Sequence, residues 1–198
     1  MSLRRLAPPA FLLLQLAGLP AAEAAPGERD RVTCVLHGSR AAYGKRQGGS
    51  GWGYGAGGSV SYYDKQHLRY WVGADHDRVP RSSSYTWSIT SYAAGLELGP
   101  RRVRRAEPYS RLGLGFHAVD ARYWDFYGPT GQIVSAAYRK NYAGVHLEAG
   151  VHARPSPGTL FELGLSVDPM FAGAQSDAPA LDSATLLRLH AGLGYSFR

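Results

Sequence analysis

The chain has 198 residues, a formal net charge of +7, 25 glycines, 13 tyrosines and a single cysteine. That length suits one domain. A lone cysteine excludes an intramolecular disulfide framework, and no run reaches the about 20 apolar residues that a membrane helix needs.

The N-terminus carries an export pattern. Arg4 and Arg5 precede the short apolar stretch of residues 11–19, and Ala22-Glu23-Ala24 offers small residues on both flanks of a cut. Residues 1–24 read as a secretory signal peptide cleaved after Ala24, leaving residues 25–198 as one β-barrel domain. Cys34 stands too far past Ala24 to serve as a lipid anchor. With no helix to span with, an exported chain that enters a membrane must close into a barrel, because backbone groups in lipid pair internally.

Eight strands are predicted in chain order. The first, 31–43, has ambiguous facing. The second, 51–63, sets Trp52, Tyr54, Ala56, Val60 and Tyr62 against glycine and serine. The third, 67–74, sets Leu68, Tyr70, Val72 and Ala74 against Arg69, Trp71 and Gly73. In the fourth, 84–98, the apolar positions change phase: Tyr85, Trp87 and Ile89 are odd, Tyr92, Ala94, Leu96 and Leu98 even. A bulge near Thr90 would reconcile them. The fifth, 108–120, sets Leu112, Leu114, Phe116 and Ala118 against Arg111, Gly113, Gly115 and His117. The sixth, 142–153, sets Ala143, Val145, Leu147, Ala149 and Val151 against His146, Glu148, Gly150 and His152. The seventh, 159–167, sets Phe161, Leu163, Leu165 and Val167 against Glu162, Gly164 and Ser166. The eighth, 185–197, alternates Leu187, Leu189, Ala191, Leu193, Tyr195 and Phe197 with Arg188, His190, Gly192, Gly194 and Ser196. Period-two alternation sends the two sets to opposite faces. An apolar face toward lipid and a polar face toward a lumen is the membrane-barrel arrangement.

The connections carry the same signal. Inner links are expected at 64–66, 99–107 and 154–158, and outer links at 44–50, 75–83, 121–141 and 168–183; short inner turns with longer outer loops are the barrel pattern. Aromatics sort into two girdles. Trp52, Tyr54, Tyr85, Trp87, Tyr123, Trp124 and Tyr142 fall near the outer ends, and Tyr62, Tyr63, Tyr109, Phe161, Tyr195 and Phe197 near the inner ends. The basic run Arg101-Arg102-Val103-Arg104-Arg105 reads as a solvated inner turn. The fold class is therefore all-β, an eight-stranded antiparallel up-and-down transmembrane β-barrel.

Gly192-x-x-Tyr195-x-Phe197 resembles the C-terminal assembly signal of small outer-membrane barrels, except that Arg198 follows the final aromatic. Glu107-Pro108-Tyr109-x-Arg111-Leu112-Gly113-Leu114-Gly115-Phe116 is similar to the fifth strand of many such barrels. On these stretches the chain resembles the OmpA-transmembrane-domain and OmpX type of Gram-negative bacteria. The resemblance implies placement in the outer membrane, and reading of Gly192, Tyr195 and Phe197 by the barrel-assembly machinery.

An eight-stranded barrel fills its interior with side chains. The expected lumen set is Arg69, Arg111, His117, His146, Glu148, His152, Glu162, Arg188 and His190, with both signs present as dehydrated charges require. Arg111, His152 and Glu162 are expected low, Glu148 and His190 near the middle, and His117, His146 and Arg188 higher. Some similar barrels hydrolyse lipid A or phospholipid esters, which takes a nucleophile, a histidine within reach and an acid. No serine lies two residues from His146 or Glu148, so a catalytic site is not expected, nor a metal or cofactor. A soluble periplasmic lipocalin-like barrel is the other alternative, on Gly51-Trp52-Gly53-Tyr54, but the charged inner set does not suit a lipid-binding calyx. The expected role is non-catalytic: envelope structure, or surface interaction through the outer loops, where Tyr123, Trp124, Phe126 and Tyr127 cluster. Lipopolysaccharide and outer-membrane lipid are the expected partners of Lys45, Arg46, Arg78, Arg81, Arg139 and Lys140, and nucleic acid is not.

Overall fold

The computed structural model describes residues 32–45, 48–65, 68–82, 85–99, 105–126, 133–156, 158–171 and 184–197. The expected signal peptide, the arginine run up to residue 104 and the tips of the outer loops lie outside the described residues. Eight strands follow in order: β1 (Val32–Lys45), β2 (Gly48–Lys65), β3 (Leu68–Ser82), β4 (Tyr85–Leu98), β5 (Ala106–Phe126), β6 (Ile133–Ser156), β7 (Thr159–Phe171) and β8 (Ala184–Phe197). Each pairs antiparallel with its sequence neighbours, and β8 closes on β1. Closure leaves no unpaired edge around the belt, the condition for backbone in lipid.

The strands are staggered. Register partners lead from Val32 through Tyr62, Tyr70, Leu96, Leu112, Leu147, Val167 and Leu187 back to β1 at Ala42, ten residues further along. That shear tilts the strands and sets the barrel width. Every residue on this spiral is apolar, and every one faces outward.

β1, ambiguous in the sequence, resolves cleanly: Thr33, Val35, Ser39, Ala41 and Tyr43 are buried in the lumen, and Leu36 is exposed on the belt. Short connections join β2 to β3, β4 to β5 and β6 to β7 at the inner end. In the last of these, Gly158 takes φ 83°, a conformation glycine adopts at no steric cost. A side chain there would also meet the Tyr195 ring at 2.8 Å.

All four expected outer loops are strand in part, and β1 and β2 already reach Lys45 and Gly48. β3 continues through 75–82, β7 through 168–171, and β5 and β6 pair from Ala121–Tyr138 to Phe126–Ile133. The physical reason is one reversal of polarity. Toward the outer end the wall faces water, so the apolar residues turn inward and the polar ones outward. Ala41, Tyr43, Val79, Trp87, Ile89, Val119, Tyr142, Met170, Ala184 and Leu186 form one buried apolar cluster inside the barrel. On the same strands His76, Arg78, Thr90, Ser88, Arg139 and Asn141 face out. Strand seeking by outward apolar residues stops at this boundary, although the strands do not.

The reversal also removes the expected bulge. β4 pairs through Thr90 with both neighbours without a break, His76 with Thr90 and Thr90 with Ala118. Its odd positions from Trp87 to Glu97 face inward, and what changes is the medium outside. Trp87 and Tyr142, assigned above to the outer girdle, and Tyr109, assigned to the inner one, are therefore lumenal, at 1%, 1% and 4% exposure. Trp52 and Tyr54 at the outer boundary, and Tyr62, Phe161, Tyr195 and Phe197 at the inner, are exposed on the lipid side.

Candidate functional site: the lumen network and the outer rim

Inward alternation carries Arg69, Arg111, His117, His146, Glu148, His152, Glu162, Arg188 and His190 to the lumen, where all are buried. Arg111 is the hub of the lower part. Its Nε donates to Glu97 at 2.8 Å, and its two terminal nitrogens donate to Glu148 and Glu162 at 2.9 Å each. Its guanidinium carbon also lies 4.7 Å from the Tyr109 ring centre, within cation–π range. Tyr109 donates to Glu148 at 2.6 Å and stacks on His152 with ring centres 4.1 Å apart. His152 Nε2 is 2.8 Å from Glu162. Below, Arg69 donates to Glu97 at 2.6 Å, and Glu107 lies 3.6 Å from Arg69 and 3.5 Å from Arg154.

Higher up, Arg188 is a second hub. It donates to Asp77 at 2.6 Å, to Asp168 and to Ser91. His146 bridges the two hubs, with Nδ1 2.7 Å from Asp168 and Nε2 3.0 Å from Glu148. His190 Nε2 lies 3.4 Å from Glu148 and 3.5 Å from Glu162, and His37 is 2.6 Å from Asp75. His117 meets Ser91 at 2.9 Å directly beneath the apolar cluster. Carboxylates outnumber guanidiniums in this column, and histidines stand beside the excess.

Glycine makes room for these side chains. A Cβ on Gly164 would stand 2.6 Å from the Tyr109 hydroxyl, and one on Gly144 2.9 Å from His117 Nε2.

Several members escape the sequence reading. Asp75, Asp77 and Asp168 fall in expected loops, Glu107 in an expected turn and Tyr109 in an expected girdle; Glu97 and His37 are not singled out there. The signal is present: each keeps the inward parity of its strand once the strand is extended. Oxygen and nitrogen atoms of Glu148, Glu162 and His190 all lie within 4.8 Å of one another, a spacing that could hold a cation. Arg111, Tyr109 and His152 already occupy those carboxylates, and a guanidinium beside two of them does not suit a metal.

Two serines do meet histidines, though neither pair is local in sequence. Ser91 meets His117 in the closed lumen. On the outer face, Ser88 lies 3.2 Å from His76 Nε2, and Thr90 lies 3.0 Å from Nδ1. Among the described residues no carboxylate orients His76, so the set lacks the acid of a hydrolytic triad.

Gly192, Tyr195 and Phe197 lie at the inner end of the β8 ladder. Gly192 faces inward, where a Cβ would stand 2.6 Å from the Leu36 carbonyl. Tyr195 and Phe197 face lipid, with ring centres 4.9 Å apart. Of the six expected lipid-contacting cations, Arg78 and Arg139 are exposed on the outer wall, Arg139 3.6 Å from Asp120. Lys140 falls on the inward parity, with Nζ 5.3 Å from the Tyr142 ring centre, so it does not serve the outer surface in the same way. Arg46 and the side chains of Lys45, Arg81, Tyr123, Trp124, Phe126 and Tyr127 lie outside the described residues.

No protein-family model matches the chain, and no curated protein matches it in sequence. Solved structures do. Neisserial surface protein A (NspA) is 16% identical with a TM-score of 0.62, over 84% of this chain and 97% of that one. A major outer membrane protein from Thermus thermophilus is 14% identical with a TM-score of 0.61, over 84% and 99%. Ail, the attachment invasion locus protein of Yersinia pestis, is 15% identical with a TM-score of 0.55, over 86% and 100%. The chain has the fold of the small eight-stranded outer-membrane barrels.

Proposed function

We propose that this chain is a non-catalytic surface protein of a Gram-negative outer membrane, exported by its signal peptide, whose outer hairpin engages a partner. The observation that carries the reading is the reach of the outer hairpin beyond its described neighbours. β6 pairs with β5 as far out as Ile133, but its last described partner on β7 is Phe171, opposite Ala143. Residues 133–142 of β6 therefore have no strand on that side among the described residues. A strand without a neighbour presents its N–H and C=O groups to water, and extended segments of other proteins add to edges of that kind. The fold shared with Ail supports the reading. The lumen argues against a pore or an enzyme: ion pairs fill it and an apolar cluster caps it.

Two partners belong to the same proposal. Lipopolysaccharide surrounds the basic outer rim, and the assembly machinery reads Gly192, Tyr195 and Phe197. The adhesive role is tested by replacing residues 122–137 with an Asn-Gly turn, which closes a two-residue hairpin. Bacteria carrying this variant should lose adhesion to cultured epithelial cells and self-aggregation, while the barrel keeps its heat-modifiable mobility on detergent gels. Unchanged adhesion by both measures would end the reading.

A further inference from the structure

The lipid face is not uniform. An apolar groove crosses it from β8 to β5 by way of β1–β4, five strand spacings or about 24 Å at about 4.8 Å each. Its floor is Gly58, Ala74 and Ala94 on three successive strands. Leu36 and Leu114 wall it, 77% and 75% exposed. Tyr195 stands at its inner end and Phe116 at its outer end. On the other side of the barrel, β6, β7 and β8 fill the same belt with Leu147, Leu163, Leu165 and Leu189.

Above the groove is a cationic seat. Arg40 pairs in register with Tyr54, and Tyr54 with Arg78. The two arginines thus flank one tyrosine with backbones about 10 Å apart, two strand spacings. All three side chains are exposed. Neither arginine has a carboxylate partner among the described residues. His76, bonded to Ser88 and Thr90, lies between Arg78 and the floor residue Ala74 along β3.

We propose that this surface is a specific seat for the lipid A part of lipopolysaccharide, with a phosphate between Arg40 and Arg78 and an acyl chain in the groove beneath. Guanidiniums at a polar–apolar boundary select a phosphate by charge-assisted hydrogen bonds. A depression with a small-residue floor gives a hydrocarbon chain more wall to touch than a convex leucine surface does. A phospholipid of the inner leaflet would have its head at the wrong end. A second copy docked face to face would bring the arginines against their symmetry mates. The inference rests on the outer-membrane placement and on lipopolysaccharide as partner, not on the adhesive edge.

The test uses barrel extracted from outer membranes, with folding checked by heat-modifiable mobility. Lipopolysaccharide retained per folded barrel is measured after detergent washing. Wild type is compared with the groove-filling pair Ala74→Leu/Ala94→Leu, the charge-removing pair Arg40→Gln/Arg78→Gln, and Ala149→Leu, which adds the same bulk on the opposite wall. Both pairs should retain about tenfold less, the equivalent of about 1.4 kcal/mol, and Ala149→Leu should match wild type. Cys34 lines the groove and is the chain's one cysteine, so unmutated protein gives a second measurement. Added lipopolysaccharide should slow Cys34 alkylation by a membrane-permeant maleimide several-fold. If only the charge-removing pair loses lipid, the rim contacts lipopolysaccharide but the groove is not its seat. If neither pair loses lipid, lipopolysaccharide fails as a specific partner. An equal loss in Ala149→Leu, or unchanged Cys34 alkylation, overturns the groove.

Discussion

The inner and outer parts of this barrel obey opposite rules on the same strands. In the belt, β4 shows Leu96 to lipid and turns Glu97 into the lumen; nearer its outer end it shows Ser88 to water and buries Trp87 and Ile89. The hydrogen-bond ladder does not change between them. The side chains report the medium outside the wall, and the interior takes whatever the outside refuses. In the belt the interior must hold the polar residues, which forces the ion-pair column around Arg111 and Arg188. Beyond it the interior can be an ordinary hydrophobic core, and that core caps the column.

The comparison can be broken most forcefully at the hubs. Arg111→Met leaves Glu97, Glu148 and Glu162 without their shared guanidinium, and removing one partner of a buried ion pair costs about 3–5 kcal/mol. Urea unfolding in lipid vesicles should show a loss of this size. Trp87→Ala tests the cap by a different mechanism, a cavity in place of an unpaired charge, and should cost about 3–5 kcal/mol in the same titration. If the upper interior were wet, the loss would be much smaller.

β4 then supplies a matched pair on one outward face. Leu96→Arg should destabilise by about 2–4 kcal/mol, the cost of a cation on the lipid face near mid-depth. Ser88→Arg, eight residues along the same face, should change stability by no more than about 0.5 kcal/mol, as surface substitutions do. Equal costs would mean that lipid reaches Ser88 and that the polarity boundary is drawn too low. The smallest effect is expected at the exposed Arg139–Asp120 pair. Breaking it with Asp120→Asn should cost under about 1 kcal/mol, and less with added salt.

Alternation along the chain was enough by itself to determine the barrel and its strand number, and in the middle of β5–β8 it also placed the charged residues that enter the lumen. Arg111, Glu148, Glu162 and Arg188 could be placed because an inward polar residue between outward leucines has one reading at period two. The sequence also held the polarity reversal, as the phase change around Thr90, but local pattern alone suggested a bulge. A bulge and a change of solvent produce the same string of letters, and only the unbroken pairing of β3, β4 and β5 distinguishes them. Extension of β3, β7 and the β5–β6 hairpin was hidden for the same reason, since outward polar residues such as Arg78 and Arg139 resemble loop. The partners were beyond the sequence altogether. That Arg188 meets Asp77 across the lumen, or that Arg40 and Arg78 flank Tyr54, depends on shear and closure. These are properties of the whole sheet, fixed only when the eighth strand finds the first.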